Sequence, residues 1–202
     1  MIRPCRDDER AAILNIVNAA AEAYRDVIPA DRWHEPYMPA QELDAEMAAG
    51  VAFWGDERDG QLVGVMGIQP VRDVHLIRHA YVLPSQQGTG VGRALLEHLA
   101  ARIGGPLLVG TWATATWAIR FYERNGFELV SPARKDELLR AYWDIPERQI
   151  ETSVVLELRP PARPRAPRHG RPRAARPSRG SDPLRAPAPG RACDPRRTRR
   201  TR

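Results

Sequence analysis

The most constraining stretch of this chain is Gln87-Gly88-Thr89-Gly90-Val91-Gly92. It joins an apolar run ending Tyr81-Val82-Leu83-Pro84 to a segment with Leu95, Leu99 and Ile103 at helical spacing. Three glycines in six residues let the backbone take positive φ and approach a ligand closely. Where such a turn opens a helix, the first amides have no intrahelical acceptor, and the helix dipole favours an anion beside them. The stretch therefore predicts a strand, a tight turn and a helix, with a phosphate cradle made by the backbone of Gln87, Gly88, Thr89, Gly90, Val91, Gly92 and Arg93. Arg93 can add a charge to it. The dinucleotide fingerprint G-x-G-x-x-G does not fit the observed G-x-G-x-G, and the Walker loop needs a lysine that the segment lacks. A tight turn that binds nothing remains the alternative on this feature alone.

Elements on either side follow from periodicity and punctuation. Ile2 to Arg6 reads as a strand. Ile13, Leu14, Ile16, Val17, Ala20, Ala21 and Tyr24 form an apolar helical stripe opened by Asp7 or Asp8 as N-cap. A second helix is expected from Pro39 to Ala49, stopped by Gly50. Val51–Glu57 and Gln61–Val71 make a hairpin around Asp59-Gly60, and His75–Leu83 is a further strand. After the helix from Gly92 to Ile103 come a strand at Leu107–Thr111 and a helix from Thr114 or Ala115 to Asn125. A strand at Phe127–Val130, a short helix at Arg134–Tyr142 and a strand at Gln149–Leu158 complete the pattern. Early hairpins and late crossover helices predict an α/β fold, with a mixed sheet of six or seven strands and helices on both faces.

Composition divides the chain in two. Residues 160–202 hold fourteen Arg against two Asp, a net of +12, so residues 1–159 carry −6 of the whole-chain +6. That last stretch also has ten of the nineteen prolines and no Phe, Trp or Tyr. It cannot bury enough apolar surface to offset the entropy of ordering, and reads as a disordered tail on a single domain spanning residues 1–159. Lys135 is the sole lysine, a bias expected of GC-rich coding DNA, and such DNA yields Arg/Pro/Ala/Gly extensions readily. An Arg arm for phosphate is the other reading, but the tail lacks stacking aromatics and the acidic body does not help, so nucleic acid is not an expected partner. Cys5 and Cys193 stand at opposite ends, without metal-ligand spacing. No apolar run approaches 18 residues, and no leader-like segment opens the chain. The expectation is a cytoplasmic protein without membrane attachment or a metal.

The spacing Gln-x-x-Gly-x-Gly at Gln87, Gly90 and Gly92, with its Tyr-Val-Leu-Pro lead-in, resembles the acetyl-CoA loop of the GNAT N-acetyltransferase superfamily. Ala118-Ile119-Arg120-Phe121-Tyr122-Glu123-Arg124-Asn125-Gly126-Phe127 resembles that family's second motif, and the two stand in the family's order, one helix and one strand apart. The resemblance covers residues 1–158 by element order and implies a GNAT-like sheet.

It also implies acetyl-CoA as co-substrate, its pantetheine paired to the backbone of Val82 and Leu83 and its pyrophosphate on the loop. Tyr122 matches the family's general acid; a packed aromatic beside Phe121 is the plainer alternative. The family often has Asn where this chain has Ala115, between Thr114 and Thr116. It often places a Glu on the strand before the loop, where this chain has no carboxylate. His79, on one face of that strand with His75, Ile77 and Tyr81, is then the candidate base, with His34, Glu35 or a water chain as others. The acceptor site is expected to include Trp33, Tyr37 and Trp112, with Tyr142 and Trp143 as further walls. The acceptor would be a primary amine of a small molecule or peptide. A homodimer is compatible with the reading, and a CoA-binding regulatory module that has lost catalysis is its rival.

Overall fold

The computed structural model describes residues 1–159; the readings made for residues 160–202, Cys193 included, lie outside the described residues. Seven strands, β1 (Ile2–Pro4), β2 (Ala52–Arg58), β3 (Gln61–Val71), β4 (Val74–Val82), β5 (Leu107–Trp112), β6 (Glu128–Leu129) and β7 (Ser153–Leu158), form one sheet in the order β1-β2-β3-β4-β5-β7-β6. Every neighbouring pair is antiparallel except β4 and β5. The helices are α1 (Arg10–Ala21), α2 (Ala40–Ala48), α3 (Val91–Ala100), α4 (Thr116–Arg124), α5 (Pro132–Tyr142) and α6 (Glu147–Thr152).

Strand alternation sends successive side chains to opposite faces, and the helices bury both. Met66, Ile68, Ile77, Val109 and Leu156 meet Leu95 and Leu99 of α3 and Tyr122 of α4 on one face. On the other, Ile13, Ile16 and Val17 of α1 and Leu43 of α2 cover Phe53, Leu62 and Val65. Leu138 and Leu139 of α5 and Ile150 of α6 cover Leu76, Leu108 and Val155 on that same side. The mixed seven-stranded α/β sheet flanked on both faces is the architecture that the sequence predicts.

Two irregularities in the middle of the sheet shape the site. First, β4 and β5 are paired at only three positions, His75 with Leu107, Leu76 with Leu108 and Ile77 with Val109. Beyond Ile77 they part, while β5 stays on β7 as far as Trp112 opposite Ser153. Second, the β3–β4 register steps from Val65 opposite Tyr81 to Gly67 opposite Arg78, so Met66 faces two residues, His79 and Ala80. This is a β-bulge, with His79 held at φ 50°, a left-handed conformation uncommon outside glycine.

Several boundaries differ from expectation for local reasons. Asp7 and Asp8 do not cap α1 but lie in a 3-10 turn over Asp7–Glu9, and the helix starts at Arg10. Its stripe does not run on to Tyr24 as α-helix, because Glu22–Tyr24 tightens into another 3-10 turn. The strand expected from Gln149 is helical as far as Thr152: Pro146 pre-sets the entry, and its carbonyl accepts from the amides of Gln149 and Ile150. The Asp59-Gly60 hairpin forms as read, with φ of 50° and 78° at the two turn residues.

Candidate active site

The glycine turn takes the strand-to-helix conformation that its composition suggests, with the labour divided. Gly88 and Gly90 have φ of 76° and 88°, and Gly90 is the N-cap of α3. Gly92 lies within the helix, where its missing side chain brings the Phe121 ring of α4 to 3.5 Å from where a Cβ would stand. The turn is cross-braced: Gln87 Nε2 donates to the Val82 carbonyl at 3.3 Å, and Thr89 Oγ1 to the Gln86 carbonyl at 2.7 Å. Arg58 of β2 reaches Thr89 Oγ1 at 3.5 Å, a cation beside the turn that sequence reading missed. Arg93 is exposed and paired with Glu97 at 2.7 Å, one turn along α3. The first amides of α3, from Val91 to Arg93, precede the first possible i→i−4 bond, which begins with Ala94 donating to Gly90, so they are available to an anion.

Where β4 leaves β5, two cavities open. A cleft of about 470 Å³ runs between β4, the glycine turn and α4, lined by Val82, Gln87, Gly92, Trp117, Ala118 and Phe121 among others. A second pocket of about 370 Å³ lies towards α2 and the α5–α6 connection, lined among others by Tyr37, Glu46, His79, Trp112, Trp143 and Asp144. Tyr24, Ala80, Tyr81 and Tyr122 line both. Tyr122 is thus at the junction: only 5% of it is exposed, and it is wedged edge-on against Phe121 and Phe127.

The sequence-derived residues divide cleanly. Val82, Gln87 and Gly92 line the cleft, and Tyr37, His79 and Trp112 line the pocket. Leu83 packs into the α1–α2 core, its N–H donating to Val63 and its carbonyl accepting from Gln86. Trp33 does not line the pocket; it is stacked on Tyr37 at 5.5 Å, with the Arg25 guanidinium 5.0 Å from its ring centroid. Trp143 is a pocket wall, whereas Tyr142 turns away and donates to Asp73 at 2.8 Å. Beside Ala115, the Thr114 hydroxyl donates to the Val27 carbonyl at 3.2 Å.

Of the candidate bases, only His79 reaches a cavity. Glu35 is tied to Arg25 on the surface, and the His34 ring nitrogen faces the Pro36 carbonyl at 2.8 Å. His79 does not share a face with His75 and Ile77, as simple alternation predicts. The bulge reverses the alternation, so His79 stacks on Phe53 and Tyr81 joins the α1–α2 side, while Ile77 remains with α3.

Burial sets the electrostatics of the junction. It pushes the Tyr24 phenol up to about 12 and drives those of Tyr81 and Tyr122 well above the ordinary range. Every phenol here is therefore protonated at neutral pH. Burial also works to raise Glu46, but the adjacent His79 imidazole and the charge of Arg78 outweigh it, so the carboxyl is held below its ordinary value. Glu46 and Arg78 are site residues that sequence reasoning missed. Among the described residues, no group of three or more His, Cys, Asp or Glu is placed to hold a metal ion, and no helix is long and apolar enough to cross a membrane.

Residues 49–129, which hold the helix start and the parted strand pair, match the family model described as an acetyltransferase (GNAT) domain. Residues 49–129 are therefore identified as a GNAT acetyltransferase domain, of the class of acyl-CoA-dependent N-acyltransferases. The chain is 29% identical over 143 residues to the peptidyl-lysine N-acetyltransferase YiaC of Escherichia coli (strain K12), an alignment spanning 71% of this chain and 93% of that protein. Among solved structures it resembles a GNAT acetyltransferase from Staphylococcus aureus Mu50, with a TM-score of 0.60 at 13% identity over 79% of this chain and 98% of the other. The PaiA N-acetyltransferase of Thermoplasma acidophilum, solved in complex with coenzyme A, gives a TM-score of 0.59 at 16% identity, with the same 79% and 98% coverage.

Proposed function

We propose that residues 1–159 form a catalytic domain that transfers an acetyl group from acetyl-CoA directly to a primary amine of a peptide or small molecule, with Tyr122 as proton donor to the leaving thiolate. The observation that carries this reading is Tyr122 itself, a buried phenol common to the cleft and the pocket. The cleft suits the pantetheine arm, with the pyrophosphate on the amides of Val91, Gly92 and Arg93. The pocket suits the amine. A peptidyl lysine is a reasonable acceptor, given the similarity to YiaC. Among the pocket's charged residues that make no ion pair within the described residues, Glu42 and Asp144 outnumber Arg32, which also favours a cation.

The chemistry follows from where the protons are. The amine's lone pair adds to the thioester carbonyl, the carbon–sulfur bond breaks, and the thiolate takes the Tyr122 proton. Burial makes an isolated Tyr122 phenolate very costly. Donation to sulfur is therefore coupled to recovery of a proton from the new amide nitrogen, and the phenol ends as it began. No covalent enzyme intermediate is needed.

Thiol release from acetyl-CoA, followed with an internal-lysine peptide, a peptide with a free α-amine and a small primary amine, tests the activity. Tyr122→Phe should lower kcat by about 10²-fold or more with the acetyl-CoA Kd nearly unchanged. An unchanged kcat removes Tyr122 from the mechanism. Acetyl-CoA binding with no transfer to any of the three amines would favour the rival, a binding module without catalysis.

A further inference from the structure

The acyl-transfer reading leaves one step without an agent: an amine arrives at neutral pH as an ammonium and cannot attack until it is deprotonated. We propose that His79 is the proton acceptor and that Glu46, on α2, is the positioning residue that orients its imidazole towards the acceptor pocket. The inference rests on the acyl-transfer reading and extends it to two residues on elements far apart in sequence.

Three observations carry it. Both side chains line the pocket that ends at Tyr122. The His79 Nε2 atom is 3.3 Å from Glu46 Oε2, the two side chains being 14% and 18% exposed, and as placed both atoms are buried and neither makes a hydrogen bond among the described residues. Glu46 is itself fixed, because Oε1 accepts from Arg78 at 2.6 Å, Arg78 donates to Gln69 at 2.9 Å, and Gln69 donates to the Ala49 carbonyl at the end of α2 at 2.9 Å.

The backbone gives independent support. His79 occupies the left-handed region at φ 50°, a conformation that Asn or Gly would adopt at less cost. Strain of this kind persists where the surroundings enforce it, and it clusters at functional sites. Here it directs the imidazole to the pocket side of the sheet, whereas an unbulged strand would bury it beside Ile77. Nε2 is buried against the Glu46 carboxylate, which leaves Nδ1 as the ring nitrogen to take a proton from an ammonium in the pocket. The step balances: the ammonium N–H bond breaks, the proton passes to His79 Nδ1 while Nε2–H faces Glu46, the freed lone pair forms the new N–C bond, and Nδ1 later returns the proton to solvent.

The test uses the full chain, acetyl-CoA and the three amines named above. His79→Gly keeps the backbone conformation available and leaves a hole of imidazole shape. The expected result is a loss of about 10²-fold in kcat with the KM for acetyl-CoA unchanged, and partial recovery on adding free imidazole. Glu46→Gln should lower kcat on the order of tenfold in the wild-type background but cause no further loss in the His79→Gly background, because Glu46 acts through His79. Activity of His79→Gly within twofold of wild type overturns the proposal. So do a folded His79→Asn variant that keeps wild-type kcat, and additive losses in the double variant. Absence of thiol release from the wild type itself overturns the acyl-transfer reading, and the dyad with it.

Discussion

At Gly67 a methyl group would stand 2.7 Å from Val51 Cγ1 and 2.9 Å from the Arg78 carbonyl oxygen, distances that force the opposing backbone to move. At Gly90 the same methyl group would meet nothing within 4 Å, and the only obstacle is a φ of 88°. The two glycines should therefore fail differently. Gly90→Ala should cost about 1 kcal/mol in stability, the penalty of a left-handed alanine, and leave the histidine side of the site intact. Gly67→Ala should cost more and should also lower kcat, because it displaces the strand that carries Arg78 and His79. Urea unfolding and turnover measured on both variants check this; equal stability losses would contradict it. Glycines and the Tyr122 motif are legible in a sequence because their chemistry is local. Glu46 was not, because in α2 it reads as one more polar position on a solvated face, and only the fold brings it to β4.

At the scale of elements, β1 and the start of α1 are clamped by charge rather than by length. Arg3 donates to both oxygens of Glu9 at 2.8 and 2.7 Å and to Glu57 of β2 at 2.6 Å, while the Arg6 amide donates to Glu9 at 2.7 Å. The hydrogen bonds from Arg3 are the main cause that holds the Glu9 carboxyl down to about 2, against an ordinary 4.5. A carboxyl depressed on folding stabilises the fold above its unfolded value and loses that contribution as pH falls through the folded one. The unfolding temperature should therefore fall between about pH 4.5 and pH 2, and Glu9→Gln should flatten that slope. Melting curves of the two proteins across this window decide it, and parallel slopes would exclude the clamp.

The same scale explains which elements were legible. The hairpin and the helices α2, α3 and α4 announce themselves by Asp-Gly, by glycine stops and by apolar spacing. The bulge in β4 gives no such signal: one inserted residue reverses every later side chain, and period-two counting across it assigns His79 to the wrong face. The helix α6 was lost for a related reason. Its six residues are too few for a helical period to stand out from the strand that follows directly.

Across the whole molecule, sequence alone recovers the sheet, both helix layers and the conformation of the glycine turn, because each rests on pattern within some twenty residues. The acceptor pocket is harder to read. It is assembled from α2, β4, β5 and the α5–α6 connection, and Trp33, Tyr37 and Trp143 look alike in one dimension although only the last two face it. The parting of β4 from β5 has a consequence that can be read in time rather than in distance. Past Ile77, the β4 amides on the β5 side have no strand to bond. Their hydrogens should exchange with deuterated solvent far faster than those facing β3, and acetyl-CoA should slow them selectively, leaving a kinetic imprint of the pantetheine along one edge of a single strand. Uniform slowing across β3 and β4 alike would instead mean that the ligand stiffens the sheet without completing it.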